Sequence, residues 1–291
     1  MRLRFVLFGH PVAHSLSPVI HQAAYSALGL PHRYELFDVP ELAALDGAFA
    51  ELRSGSIAGA NVTIPWKREA LARADRADAS AAAVGAANVL VRAPNGEIIA
   101  HNTDVPALAS EIGELVSAPA SGLVLGSGGA TLAAVAALNR LGARVVGVAA
   151  RRFDPTADRS TWPLAAELTR LGARLLAWPG AALELAVFAA ATNVVVQATS
   201  AGMHGAAPGA DVAQVVPWRS LQPGTAAYDL VYNPADTEFL REARAHGVVA
   251  RGGLGMLVGQ AALAFELWLG VAPPREAMRR AAEAELARRS T

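Results

Sequence analysis

Short apolar runs alternate along this chain with longer stretches in which apolar positions recur at helical spacing, a pattern that predicts an α/β fold with mostly parallel strands. Residues 3–8 form a short apolar strand that Gly9-His10-Pro11 interrupts. Ser17 followed by Pro18 reads as an N-cap and first-turn pair, so a helix is expected over 18–28. A second strand follows at 34–38 and a second helix at 41–53. Residues 59–64 are the third strand, and 66–83 read as mainly helical. Strands at 88–92 and 98–100 flank Pro94-Asn95-Gly96, a hairpin signal.

From Leu123 the texture changes. Leu123-Val124-Leu125 runs directly into Gly126-Ser127-Gly128-Gly129, then into an alanine-rich helix to about residue 141 and a strand at 144–148. This strand, glycine turn, helix and strand make a dinucleotide-binding pattern. Further strands are expected at 193–197 and 225–230, with helices at 236–245, 256–269 and 274–289. The compositional shift over 106–119 is the best domain boundary.

Composition narrows the function classes. The chain has 291 residues, enough for two domains, and is 53% hydrophobic and 17% charged, as compact folded proteins are. With 25 basic and 25 acidic residues and no block of one sign, nothing points to nucleic acid or a membrane surface. Cysteine is absent, which excludes disulfides, thiolate zinc sites and cysteine nucleophiles. His10, His14, His21 and His101 lack metal-ligand spacing, so no metal is expected. The apolar start of the chain is too short for a signal peptide, and 123–150 is broken by glycines and arginines, so a cytoplasmic protein is expected.

Two segments carry candidate chemistry. In Asn61-Val62-Thr63-Ile64-Pro65-Trp66-Lys67, an extended strand would set Asn61 and Thr63 on one face, and Pro65 would end the ladder and release Lys67. That suits a site gripping a hydroxylated molecule and moving a proton; a solvated lysine at a strand end is the plainer reading. The glycine turn lets bare backbone approach a pyrophosphate at a helix N-terminus, although Thr131 stands where a third glycine is usual. Arg151 and Arg152 follow the next strand, where an acid would hold NAD ribose. Their guanidinium forks suit a 2′-phosphate, though they also read as two solvated arginines, and Asp154 is close enough to leave NAD open.

Taken together, the motifs resemble the shikimate dehydrogenase family, with its quinate and aminoshikimate relatives. The matching stretches are Gly9-His10-Pro11-Val12-Ala13-His14-Ser15-Leu16-Ser17-Pro18, Gly59 to Lys67, Ala87-Asn88, Asn102-Thr103-Asp104 and Gly126 to Ala130. Ala198-Thr199-Ser200-Ala201-Gly202-Met203, Tyr228-Asp229-Leu230-Val231-Tyr232 and Gly253 to Gln260 complete the set in order. The resemblance implies that Lys67 and Asp104 are the catalytic pair. It also implies that Ser15, Ser17, Asn61, Thr63, Lys67, Asn88, Asp104, Tyr232 and Gln260 meet the substrate. Gly126, Ser127, Gly128, Gly129, Ala130, Arg151, Arg152, Thr199 and Gly253 would then meet the cofactor, NADP, with NAD as the other option. Ser17 also reads as a helix cap, Tyr232 as a turn tyrosine and Gln260 as a core amide.

The implied architecture is a substrate domain with a mixed sheet over 1–104 and 253–291, a Rossmann-like domain over 105–252, and the active site in the cleft between them. The implied reaction interconverts 3-dehydroshikimate and shikimate in aromatic amino-acid synthesis, in a monomer or homodimer. Quinate or aminoshikimate with NAD, or a nucleotide-binding regulator without turnover, are the alternatives. Three positions depart from the family pattern: Gly252, Val105 and Leu132 replace an expected aspartate, glycine and arginine.

Overall fold

The computed structural model describes residues 2–178 and 182–289, and the chain divides into two compact units. One runs to Ala107 and takes up the chain again from Leu257; the other is Leu108–Met256.

The first unit is built on a sheet of β1 (Arg4–Gly9), β2 (Arg33–Asp38), β3 (Gly59–Val62), β4 (Arg76–Ala77), β5 (Val89–Arg92) and β6 (Ile98–His101), ordered β2-β1-β3-β5-β6-β4. Helices Ser17–Ala27 and Leu42–Ser54 are the crossovers that let β1 pair in parallel with both β2 and β3. The pairs β3–β5 and β5–β6 are antiparallel, so the sheet is mixed. Alternation along β1 sends Val6 and Phe8 into a core with Leu45, Phe49 and Leu52. Phe5, on the other face, stacks on Trp268 from helix Leu254–Leu269, ring centroids 4.8 Å apart. The indole Nε1 donates to the Leu90 carbonyl (3.0 Å), and a Cβ on Gly59 would come within 2.5 Å of that nitrogen.

The stretch expected to be mainly helical over 66–83 is divided. Helices Lys67–Arg73 and Ala79–Val84 flank the short strand β4. Two aspartates cause the break by bonding to β6 instead of a helix. Asp75 Oδ2 accepts from the Ile98 N–H (2.8 Å), and the Asp78 N–H donates to the Ala100 carbonyl (2.9 Å). Asp78 then caps the second helix by accepting from the Ser80 N–H (2.9 Å). The units divide between Ala107 and Leu108, within the stretch 106–119, and the chain there is helical, in helix Asp104–Leu115. Pro106 fits because the first helical turn has no carbonyl waiting for its missing N–H.

The second unit holds β7 (Ser121–Leu125), β8 (Val145–Ala149), β9 (Ala173–Leu176), β10 (Val194–Gln197), β11 (Ala226–Asp229) and β12 (Val249–Gly252). Every pair is parallel and the order is β12-β11-β10-β7-β8-β9, the doubly wound order of dinucleotide-binding sheets. The edge strands β9 and β12 were not expected; Arg174 and Arg251 interrupt apolar runs too short to stand out. Topology reverses between β7 and β10, whose C-terminal ends lead into Gly126 and Ala198-Thr199. Ligands bind doubly wound sheets at that point.

Among the described residues, no helix is long and apolar enough to cross a membrane, and no group of three or more His, Asp or Glu side chains is placed to hold a metal ion.

The glycines divide by what surrounds them. A Cβ on Gly253 would lie 2.2 Å from the Leu230 carbonyl oxygen, whereas one on Gly128 would meet nothing within 4 Å. Gly253→Ala is therefore expected to cost about 3 kcal/mol, read from the urea midpoint, and Gly128→Ala less than about 0.5 kcal/mol.

Candidate active site

Lys67 opens its helix directly after the Pro65 turn, and its Nζ stands 2.7 Å from Asp104 Oδ2. The side chains are 23% and 10% exposed, so this pair is largely out of water. Asn88 holds the other carboxylate oxygen, donating from Nδ2 to Asp104 Oδ1 at 2.9 Å. The Asn88 carboxamide is itself oriented, because its Oδ1 accepts from the Thr103 N–H at 2.7 Å. Asn102 Oδ1 accepts from the Val105 N–H at 3.2 Å, which serves the helix start and leaves the Asp104 carboxylate to Lys67. An ammonium fixed against a carboxylate can hold a ketone oxygen and pass it a proton.

The Asn88 carbonyl links this pair to Asn61. It accepts from the Val62 N–H (2.8 Å) and from Asn61 Nδ2 (3.2 Å). Tyr34 Oη donates to Asn61 Oδ1 at 2.7 Å. Thr63 lies beyond β3, which ends at Val62, earlier than expected. The Thr63 carbonyl accepts from the Trp66 N–H (3.0 Å) and closes the turn around Pro65. The Thr63 methyl lies where a Cβ on Gly9 would come within 2.3 Å, so the bare Gly9 backbone makes room for it.

The expected cap role of Ser17 is corrected. Its helix begins at Ser17 with Leu16 in the capping position and no side-chain cap. Ser15 Oγ instead accepts from the Ser17 N–H (3.2 Å) and donates to Ser17 Oγ (3.1 Å). The Ser17 hydroxyl is thus released from capping. Gln260 is half-buried and donates from Nε2 to the Leu257 carbonyl (2.8 Å), as a core amide does. The structure brings together Lys67, Asp104, Asn88 and Asn61, and pairs Ser15 with Ser17, whose hydroxyl lies beside Tyr34, the partner of Asn61. Tyr34, Thr103 and Asn102 are the contributors that sequence reasoning did not single out; only Asn102 and Thr103 had a signal, as neighbours of Asp104.

In the second unit, Gly126 has φ +140°, and a Cβ there would come within 2.8 Å of the Ala198 carbonyl oxygen at the topological reversal. Gly128 and Gly129 are exposed with open space around them, so packing does not demand glycine at either. Backbone that a phosphate must approach does. Thr131, in place of a third glycine, is fully buried, and its Oγ1 accepts from the Gly128 N–H at 3.2 Å. Ser127 and Ala130 are half-buried beside them. Thr199 Oγ1 accepts from the Ala201 N–H (3.1 Å), and the Thr199 N–H donates to Gln197 Oε1. Arg151 and Arg152 are exposed, and Arg151 is 3.5 Å from Asp211, a weak surface pair. Asp154 is occupied within its own turn, accepting from the Thr156 N–H (2.8 Å) and hydroxyl (2.7 Å). The two exposed guanidinium groups at this strand end fit a dinucleotide carrying a 2′-phosphate.

The fold and the site define a pyridine-nucleotide-dependent oxidoreductase. Residues 7–90 match the shikimate dehydrogenase substrate binding domain and residues 253–283 the shikimate 5′-dehydrogenase C-terminal domain. A shikimate dehydrogenase (NADP(+)) of Methylobacterium radiotolerans is 39% identical over 276 residues, 93% of this chain and 92% of the relative. The Thermus thermophilus shikimate 5-dehydrogenase, solved with NADP(H) and shikimate, is 38% identical with a TM-score of 0.80, over 97% of this chain and 99% of that one. The Listeria monocytogenes shikimate 5-dehydrogenase, solved with shikimate and NAD, is 25% identical with a TM-score of 0.82, over 96% of each chain. The chain belongs to the shikimate dehydrogenase family.

Tyr232 is half-buried in the second unit, in the loop between β11 and helix Glu238–Ala245, and Asp229 anchors that loop. Asp229 is fully buried, accepting from the Val231 N–H (2.9 Å) and the Thr237 hydroxyl (2.6 Å). Burial raises its pKa to about 6, the two hydrogen bonds offsetting part of the rise. The folded state therefore favours the protonated form. The stability from this group is complete below pH 3.8 and is lost as pH rises through about 6, roughly 3 kcal/mol in all. Denaturant midpoints of the wild type and Asp229→Asn, followed from pH 4 to pH 7, are expected to shift against the wild type by about that amount.

Proposed function

We propose that this protein catalyses the reversible NADP-dependent reduction of 3-dehydroshikimate to shikimate in aromatic amino-acid synthesis. The observation that carries the reading is the Lys67–Asp104 contact of 2.7 Å, braced by Asn88, in a chain related over its length to shikimate dehydrogenases. NADPH, when bound, supplies the hydride to the ketone carbon. Lys67 Nζ holds the ketone oxygen and delivers a proton as negative charge develops there. Asp104 keeps the ammonium in place, and in the reverse direction the pair accepts the hydroxyl proton. Water restores the proton to the pair after reduction and takes it up after the reverse reaction.

Ser15, Ser17, Asn61, Thr63, Asn88, Tyr232 and Gln260 are proposed to receive the ring hydroxyls and carboxylate. A site of buried polar groups rejects an analogue that leaves them unpaired. Gly126, Ser127, Gly128, Gly129, Ala130, Thr199 and Gly253 are proposed to receive the dinucleotide, with Arg151 and Arg152 on its 2′-phosphate. Residues 1–104 and 253–291 would serve the substrate and 105–252 the cofactor, in a cytoplasmic monomer or homodimer. A second reading, quinate or aminoshikimate with NAD, draws on the departures at Gly252, Val105 and Leu132; kinetics with each acid and each cofactor decide between them.

Lys67→Ala is expected to lower kcat by roughly 10³-fold while shikimate binding, measured by calorimetry, persists. An unchanged rate removes Lys67 from the chemistry. Arg151→Ala is expected to raise KM for NADP about tenfold and KM for NAD less than about twofold. Equal effects on the two place the 2′-phosphate elsewhere.

A further inference from the structure

The Asn61 carboxamide has two fixed hydrogen-bond partners. The Asn88 carbonyl oxygen is an acceptor only, so the Asn61 atom facing it at 3.2 Å must be Nδ2. Asn61 Oδ1 therefore faces Tyr34 Oη, and across 2.7 Å the phenol must be the donor. The amide has one N–H left. Tyr34 is itself locked: it is 6% exposed, and its ring lies flat against His21, centroids 4.3 Å apart and planes 3° apart. His21 is fully buried, with neither ring nitrogen hydrogen-bonded, and burial pushes its pKa down to about 3, the neighbouring Asn61 amide offsetting only part. It thus presents a neutral ring to the phenol at ordinary pH. Burial also pushes the Tyr34 hydroxyl well above its usual range, the Tyr25 phenol adding to the rise and the Ser17 hydroxyl opposing it, so Tyr34 keeps its proton. A neighbouring tyrosine ring and serine hydroxyl, Tyr25 and Ser17, also pack around this pair and carry no charge of their own at neutral pH.

We propose that Tyr34 is a positioning residue that sets substrate specificity: by donating to Asn61 Oδ1 while the Asn88 carbonyl holds Nδ2, it locks the Asn61 amide with one N–H to offer, so the substrate group met there must be an acceptor. This inference rests on the reading of Asn61 as a substrate contact. The group it selects is a hydroxyl oxygen or carboxylate, and a substrate presenting only a donor at that point leaves the Asn61 N–H unpaired. Tyr34→Phe removes the constraint with little change in shape. Oδ1 then loses its donor, and the carboxamide, anchored at the Asn88 carbonyl alone, no longer holds its remaining N–H in one place.

A double-mutant cycle tests this. Tyr34→Phe is expected to raise KM for shikimate about tenfold with kcat within about threefold, and to have no further effect in an Asn61→Ala background. A structural role alone would lower the melting temperature and leave KM unchanged. An unchanged KM, or the same rise in the Asn61→Ala background, overturns the proposal. A readout without substrate separates this from the proposed activity. The Asn61 side-chain NH₂ signals in a ¹⁵N spectrum, assigned by their loss in Asn61→Ala, are expected as one sharp pair in the wild type and as shifted or broadened signals in Tyr34→Phe. Signals identical in the two proteins refute the positioning even if shikimate is turned over. The expected change in an enzyme that does not turn over shikimate leaves the positioning standing and sinks the activity.

Discussion

A carboxylate and an ammonium largely removed from water, as Asp104 and Lys67 are, each lose several kcal/mol of hydration. Their attraction offsets that loss only if the geometry is held and the remaining lone pairs are satisfied. Asn88 does both, bonding the carboxylate oxygen that Lys67 does not. Its carboxamide is oriented in turn by the Thr103 N–H, so backbone geometry ultimately sets the direction of the Asp104 carboxylate. Loss of either charged partner would leave the other buried and unpaired, which ties the integrity of this unit to the groups that act in it.

The mixed sheet explains how these residues come together. Parallel crossovers deliver β1, β2 and β3, but Lys67, Asn88 and Asp104 meet because β3, β5 and β6 run antiparallel. Asn61 lies at the end of β3, Asn88 immediately before β5, and Asn102 to Asp104 immediately after β6. Antiparallel pairing brings the end of one strand beside the start of the next, so three chain segments far apart in sequence supply one hydrogen-bonded cluster. A fully parallel sheet would have spread them over separate loops.

The sequence shows the glycine turn of the second unit because strand, turn and helix are contiguous and each has a local signal. The alternation of β1 and the crossover helices of the first unit are legible for the same reason. The Lys67–Asp104 contact is different: no spacing predicts it, and it was expected through family resemblance alone. Tyr34 was invisible as a site residue because it read as one apolar position in a strand, while its partner is on β3, with β1 between them. Strands β4, β9 and β12 are short edge pieces whose pairing is decided by neighbours, and their own residues give no clear period. The break inside the mainly helical stretch 66–83 has the same origin, since Asp75 and Asp78 are helix-compatible until β6 offers them backbone partners.

The glycines separate what the fold needs from what a ligand needs. Gly126 and Gly253 each have a carbonyl oxygen where a Cβ would stand, and Gly59 has the Trp268 indole, so the chain itself accounts for all three. Gly128 and Gly129 have no such neighbour and lack the positive φ that would call for glycine. An exposed helix start normally favours serine, threonine or aspartate, whose side chains cap the free N–H groups. Here the helix keeps bare backbone, and Thr131 satisfies the Gly128 N–H from inside the first turn. The Thr131 N–H donates to the Gly128 carbonyl (3.0 Å), so the bare backbone of Gly128 and Gly129 is where the proposed pyrophosphate contact at the reversal of this doubly wound sheet would fall.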